Sequence, residues 1–459
     1  MKKILSIAAS AMLMASCGLY NKYERPEIIT EGLVRDPISV TDTLVVRDTT
    51  SFGNLPWREV FTDPQLQTLI QQGLDKNVNL LNAALNVKMV EEQLKVAKLA
   101  FVPSLAFSPS GTISSWDGNT PSKVYSLPVS ASWSVDLFGN LLNAKRSTQM
   151  TLLATKDYQL TVQTQIISSI ANLYYTLLML DKELELLTDM EDLTKQTLDM
   201  MQLQFKLGQV KSTGVQSAEA NYYSVMNQKT DIVRSIRETE NSLSLLIGQQ
   251  AQTIKRGKFD DQQLPTRFST GIGVQMLNNR PDVHYAEMSL ASCFYDVQQA
   301  RSKFYPSITI TGTGTFTNSS GAGIVNPGKW LLSAVGSLVQ PIFQHGQIVA
   351  GLKVAKMQYE QQLNTWQNTV LTAGSEVSNA LVAYNSYNEK SQLEQKRIDI
   401  LKKTVEDTQE LMKQSSSTYL EVITAQQSLL NAELSKASDD LSRMQAVVSL
   451  YQALGGGVR

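Results

Sequence analysis

Hydrophobic positions change their period along the chain. From Tyr125 to Leu137 every second residue is apolar or small: Tyr125, Leu127, Val129, Ala131, Trp133, Val135 and Leu137. Their neighbours are mostly Ser, with Asp136 at the end. The pattern recurs over Ser307–Thr317, where Ile308, Ile310, Gly312, Gly314 and Phe316 alternate with Ser307 and with Thr at 309, 311, 313, 315 and 317. A period of two with one polar face predicts strands. Weaker strands are predicted near Leu105–Ile113 and Trp330–Val339. About ten residues per strand suits a membrane crossing; alternation alone fits a soluble antiparallel sheet with one wet face equally well.

Elsewhere the period is helical. No proline occurs between Pro128 and Pro265, and none after Pro341. Proline costs a helix interior about 3 kcal/mol, so both tracts are candidate long helices. Glycine is sparse in the first tract, at Gly139, Gly208, Gly214, Gly248 and Gly257. The span Asn140–Leu207 lacks both breakers and predicts a rod on the order of 100 Å long. Inside it Ile166, Ile170, Leu173, Leu177, Leu180, Leu184 and Leu187 alternate steps of four and three. That is the 3.5-residue seam of helices packed side by side, in a bundle or in a tube.

The chain also repeats itself. Ala97-Lys-Leu-Ala-Phe101-Val-Pro103-Ser-Leu105 matches Ala300-Arg-Ser-Lys-Phe304-Tyr-Pro306-Ser-Ile308, an offset of 203. Gly139 matches Gly346 at an offset of 207, which then pairs Asn172 with Asn379, Val215 with Val422, Ala218 with Ala425 and Gly248 with Gly455. Each unit reads as helix, strand, turn, strand, long helix, break, long helix. The first break holds Gly208, Gln209, Val210, Ser212, Thr213 and Gly214, and the second Ser416, Ser417 and Thr418. Both are expected to be tips of helical hairpins, with Ser and Thr suited to capping the returning helix. The expected division is 1–16 signal peptide, 17–55 linker, 56–264 first repeat and 265–459 second repeat. Strands are placed near 104–138 and 307–343, and helical hairpins at 140–248 and 347–454. The tail Gly455–Arg459 is expected to be a flexible end. Four strands cannot close a barrel, and an open edge is not tolerated in lipid. If the strands lie in a membrane, the chain must oligomerise.

The N-terminus adds a location. Lys2 and Lys3 precede an apolar run from Ile4 to Met14, then Ala15-Ser16-Cys17. This is the layout of a signal peptide, and a cysteine after small residues resembles the bacterial lipobox. The expected chemistry is cleavage before Cys17 and lipidation of its thiol and new amine; the alternative is an ordinary signal peptide with an incidental cysteine. Several acyl chains anchor firmly at about 0.8 kcal/mol per buried methylene. After processing Cys293 is the only cysteine, which excludes an intrachain disulfide framework and a cysteine metal cluster. No run of about 20 apolar residues follows the signal, so a membrane crossing would need a closed barrel.

Charge and motif content argue against chemistry. Charged residues are 18% and the net charge is −1, which supplies no electrostatic case for nucleic acid. The two histidines, His284 and His345, lie in no metal-ligand spacing. There is no Gly-x-Ser-x-Gly elbow. Gly312-x-Gly314 lies inside a strand pattern and opens no helix, so it reads as no nucleotide site. No enzyme, metal or cofactor is expected.

Several short motifs occur in an order that resembles the TolC-like outer-membrane efflux proteins, especially the lipid-anchored efflux lipoproteins. They are Trp57-Arg-Glu-Val-Phe61-Thr-Asp63-Pro64-Gln-Leu66, Asp136-Leu137-Phe138-Gly139, Asn279-Arg280-Pro281-Asp282 with Ala286-Glu287, and Gln340-Pro341-Ile342-Phe343. Read physically, Asp63 or Thr62 caps a helix whose first turn holds Pro64, and Pro281 with Asp282 starts another. These residues are expected to be architectural. The resemblance implies a mainly α chain with a membrane β-barrel. As a homotrimer it would form a twelve-strand barrel in the outer membrane of a Gram-negative bacterium and an α-helical tube into the periplasm. It implies a passive efflux duct whose helical tips meet a periplasmic adaptor protein and, through it, an inner-membrane efflux pump. The family narrows its tube with a Leu, an Asp and an Arg on the second returning helix. Here Leu420 is retained, Thr424 stands at the Asp position and Gln427 at the Arg position. An acidic ring would need Glu421 to face the lumen, so a gate held by packing and neutral hydrogen bonds is expected. The alternatives are a coiled-coil lipoprotein scaffold without a pore and a duct for protein export.

Overall fold

The computed structural model describes residues 20–27, 33, 52–115, 117–118, 120–265, 280–317, 329–413 and 419–458. Cys17, Asn279, Ser416, Ser417 and Thr418 lie outside the described residues. Helix α1 is a single turn, Trp57–Val60, followed by α2, Pro64–Lys76, and α3, Val78–Leu99. Strands β1 (Ser104–Phe107), β2 (Ser110–Ser114) and β3 (Ser122–Val135) lead to α4, Asn140–Lys206, and α5, Ser212–Leu246. The order then recurs as α6, Pro281–Ser302; β4, Ser307–Thr317; β5, Lys329–Val339; α7, Gln347–Lys413; and α8, Tyr419–Ala453.

The duplication is visible in element lengths. Helices α3 and α6 both have 22 residues, α4 and α7 both 67, and α5 and α8 both 35. Their starts keep the two offsets of the sequence repeat, 203 for the first pair and 207 for the others. Positive-φ glycines punctuate both copies: Gly139 and Gly346 before the long helices, Gly248 and Gly455 after the returning ones.

The chain forms two compact units, each taking parts of both repeats. The first comprises 1–28, 85–157 and 285–368 and holds the sheet. Strand β3 pairs antiparallel with β4, and β4 with β5. The register sets Trp133 beside Ile310, Ala131 beside Gly312, Val129 beside Gly314 and Leu127 beside Phe316. It continues to Gly336, Ala334, Leu332 and Trp330 on β5. The apolar sets therefore share one face, and Ser126, Ser130, Ser132 and Ser134 share the other with Thr309 to Thr317. The expected first strand is split: β1 and β2 both pair with β3, broken at Ser108 and Pro109. Pro128 lies opposite that break and accepts from the Ser108 amide at 3.2 Å. A residue in an antiparallel strand points its N–H and C=O the same way, so the missing Pro128 donor falls where the ladder is already interrupted. Counting β1 and β2 as one, the described sheet has four strand positions, with open edges on β1/β2 and on β5.

The second unit comprises 29–84, 158–284 and 369–459 and is helical. Its main core includes the predicted seam: Ile166, Ile170, Leu177 and Leu180 are buried, with Leu173 and Leu184 packed at its margin. Trp57 and Phe61 join it, Phe61 edge-on to Tyr451 with ring centroids 5.8 Å apart. The C-terminal glycines correct the expectation of a flexible end. Gly455, Gly456 and Gly457 are buried, and Gln163 donates to the Gly457 carbonyl at 2.8 Å. A Cβ on Gly456 would stand 2.4 Å from the Tyr451 ring. These glycines serve close approach, which composition alone does not distinguish from mobility.

Candidate functional site

The two hairpins of the second unit meet near their described ends. Helix α4 closes on Gly208, whose φ is +72°. The Gly208 amide donates to Phe205 O at 3.0 Å and the Gln209 amide to Gln204 O at 2.9 Å, the paired bonds of a Schellman stop. Helix α5 restarts at Ser212 with Lys211 as its N-cap and no side-chain cap, so Ser and Thr do not cap it as expected. Gly208, Gln209, Ser212 and Thr213 are exposed and Val210 is half-buried. Gly214 is buried, because a Cβ there would stand 2.8 Å from Met201 Cε and 3.2 Å from Tyr419. A small core of Leu198, Met201, Ala218, Met412 and Val422 joins residues of α4, α5, α7 and α8.

The four gate candidates lie on one side of the first turns of α8. Val422, Ala425 and Gln426 face the protein, while Leu420, Glu421 and Thr424 are exposed and Gln427 is half-buried. Leu420 is 62% exposed. Thr424 Oγ1 donates to its own helix at Leu420 O, 2.7 Å, and Gln427 to Asn431 at 3.2 Å. The buried Gln426 donates to Thr197 Oγ1 at 2.9 Å and so ties α8 to α4.

Ionic ties hold the helices together, one of them made by Arg280 and Asp282 of the motif expected to be architectural. Arg280 puts Nη1 on the Ala453 carbonyl at 2.9 Å, Nε and Nη2 on Asp282 at 3.0 and 2.6 Å, and Nη2 on Glu376 at 2.7 Å. Ala453 ends α8, where the helix dipole favours a cation. The first repeat does the same with a neutral group: Asn77 donates to the Leu246 carbonyl at the end of α5, 2.9 Å. Asn77 also accepts from the Asn79 amide at 2.9 Å, capping α3. Arg280 lies 203 after Asn77 and Ala453 lies 207 after Leu246, so the two ties occupy equivalent positions of the repeat. Arg256 bonds Asp181 on α4 through Nε and Nη2 and Glu240 on α5 through Nη1 at 2.7 Å. Nothing in the periodicity marks Arg256.

Asp63, not Thr62, caps α2, accepting from the Gln65 amide at 2.8 Å. Its other oxygen accepts from Tyr174 at 2.6 Å and Gln262 at 2.9 Å. Burial pushes the Asp63 carboxyl up, but the Tyr174 and Gln262 bonds with those of the Gln65 and Leu66 amides more than offset it and hold it below its ordinary value. A depressed carboxylate stabilises the fold above the unfolded pKa, about 4, and loses that contribution as pH falls through the folded value. Asp63→Ala is therefore expected to cost about 1 kcal/mol or more at pH 7. Thermal midpoints should show the gap to the unsubstituted protein narrowing between pH 5 and 3, and a gap independent of pH would remove the carboxylate from this role.

A long helical hairpin joined to half of an open amphipathic sheet, twice over, matches a known design. The family model for outer membrane efflux proteins matches residues 69–249 and again 272–456. The chain belongs to the outer membrane efflux protein family. It is 26% identical over 460 residues to the cation efflux system protein CusC of Escherichia coli K12, covering 97% of this chain and 98% of that protein. It is 24% identical over 458 residues to the probable outer membrane lipoprotein SilC of Salmonella typhimurium, covering 99% and 98%. The open-state MtrE outer membrane channel of Neisseria gonorrhoeae superposes with a TM-score of 0.86 at 24% identity, over 96% of this chain and 98% of that one. As an outer membrane efflux protein, the chain needs its open edges: trimers of four-strand sheets close a twelve-strand barrel.

Proposed function

We propose that this chain is the outer-membrane exit duct of a tripartite efflux system, with its closure at Leu420, Glu421, Thr424 and Gln427. Three copies form the barrel and the periplasmic tube, a periplasmic adaptor engages the tube, and an inner-membrane pump supplies the energy. The duct performs no catalytic step of its own. The observation that carries the reading is the register of β3 with β4, which gathers Ser and Thr on one face and apolar side chains on the other, and to whose apolar face β5 adds Leu332, Ala334 and Leu338. A barrel in lipid requires that division, apolar outward and polar toward a wet lumen.

Lipidation at Cys17 fixes the mature N-terminus to the membrane. The exposed tip residues Gly208, Gln209, Ser212 and Thr213 offer backbone and hydroxyl groups to the adaptor, and Ser416, Ser417 and Thr418 are assigned to the same role. Gly214 supports the tip by packing. The gate has one acidic candidate, Glu421, and otherwise closes by apolar packing at Leu420 and neutral hydrogen bonding. Leu420→Ala is expected to raise the conductance of the closed channel in planar bilayers, and unchanged conductance would sink the assignment. Detergent-purified protein is expected to be a trimer that conducts ions. A water-soluble monomer after Cys17→Ser would favour a scaffold without a pore.

A further inference from the structure

We infer that the sheet-proximal ends of α3, α4 and α6 bind anionic phospholipid headgroups through Lys98, Lys145, Arg301 and Lys303. The inference rests on the sheet lying in the outer membrane. Both repeats build the same corner there. The Phe101 amide donates to Lys98 O at 3.4 Å and the Phe304 amide to Arg301 O at 3.2 Å. Trp133 Nε1 donates to Phe101 O at 3.0 Å, and Gln340, its counterpart 207 residues on, donates to Phe304 O at 3.1 Å. Trp133 belongs to the apolar face of the sheet, so the Phe101 corner lies on the lipid side. Lys145 sits over the Phe101 ring, 5.9 Å from its centroid.

The charges at these corners are unbalanced. Among the described residues Lys98, Lys145 and Lys303 form no ion pair with a carboxylate, and Arg301 donates to the neutral Gln298 at 3.3 Å. Two lysines further along the helices are paired, Lys95 with Glu92 at 2.6 Å and Lys156 with Glu91 at 3.3 Å. Asp136, the acid nearest in sequence to Lys145, accepts from the Leu142 amide at 2.7 Å, and Asp296, the nearest to Arg301 and Lys303, accepts from Ser147 at 2.7 Å. A second observation sets the level of the membrane. Tyr20 donates to Leu137 O at 2.7 Å and accepts from Arg146 at 3.4 Å, just beyond β3. Cys17 precedes Tyr20 by three residues, at most about 11 Å of chain, so the lipidation proposed above would tether this end of the chain at the bilayer. Unpaired cations at the foot of a lipid-facing sheet, Lys145 among them over an aromatic ring, fit the phosphates of the inner leaflet.

The test uses the detergent-purified full-length trimer titrated with short-chain phosphatidylglycerol or phosphatidylcholine, with bound lipid counted by native mass spectrometry. Phosphatidylglycerol is expected to be preferred, the preference falling about fivefold per cation removed at low salt. The Lys98→Gln, Lys145→Gln, Arg301→Gln, Lys303→Gln variant should remain a conducting trimer and lose the preference. Equal retention of both lipids by the unsubstituted trimer, or an undiminished preference in the variant, would overturn the inference. Displacement of phosphatidylglycerol by millimolar inorganic phosphate would overturn its lipid source. Loss of trimer and conductance in the unsubstituted protein would instead strike the membrane-duct reading itself.

Discussion

Arg280→Ala is expected to destabilise the helical unit by about 3 kcal/mol, the lower end of the range for removing one partner of a buried ion pair. The guanidinium is 8% exposed and bonds a carbonyl at the end of α8, Asp282 and Glu376 at once. Its removal strands the Ala453 carbonyl, with no side chain to replace the bond. Glu376 is 49% exposed and regains water, which keeps the loss from the top of the range. Arg280→Lys should recover little, because one ammonium cannot reach three acceptors in the planar fork of a guanidinium. The thermal midpoint of the detergent-solubilised protein checks both variants. A shift no larger than that of a surface alanine substitution would show that the Arg-Pro-Asp motif is not the brace inferred here.

Ala334→Arg should abolish assembly more completely. Ala334 pairs with Gly312, which pairs with Ala131, so it lies mid-strand on the apolar face. A cation at the bilayer midplane of a barrel costs about 2–4 kcal/mol. The symmetric trimer carries three copies, about 6–12 kcal/mol together, enough to unmake the inserted state of most proteins. Ser333→Arg is the control: Ser333 pairs with Thr313 on the polar face, where the side chain would meet water. Ala334→Arg is expected to leave almost no trimer in outer-membrane fractions while Ser333→Arg assembles and shifts ion selectivity. Equal assembly of the two would show that the apolar face does not meet lipid.

Both predictions come from places where the sequence was read unevenly. Strand β4 was legible to the residue, because Thr alternating with apolar side chains has one solution in a pleated sheet. The interruption between β1 and β2 was not, since it depends on Pro128 standing opposite Ser108, next to Pro109. The hairpin ends were legible as breaks, and Gly208 fulfils the expected stop. The capping was not, because Lys211 takes the N-cap position without a side-chain bond. The proposed gate residues Leu420, Glu421 and Thr424 could be placed on one exposed face by helical spacing, with Gln427 at its margin.

The sequence by itself determined the elements and their duplication. Breakers, periods of two and of three and a half, and two constant offsets are local quantities, written at the scale of a few residues. It also determined that a single chain leaves sheet edges open, which is a matter of counting strands. Only the tertiary structure decided what ties the elements together: Arg280 on the last carbonyl of α8, and Arg256 between Asp181 and Glu240. Those contacts join residues up to about 170 positions apart, and no local pattern encodes which distant group a side chain will meet. A buried charge or a buried glycine acquires its meaning from what folding sets beside it, where leaving a partner unmade is costly.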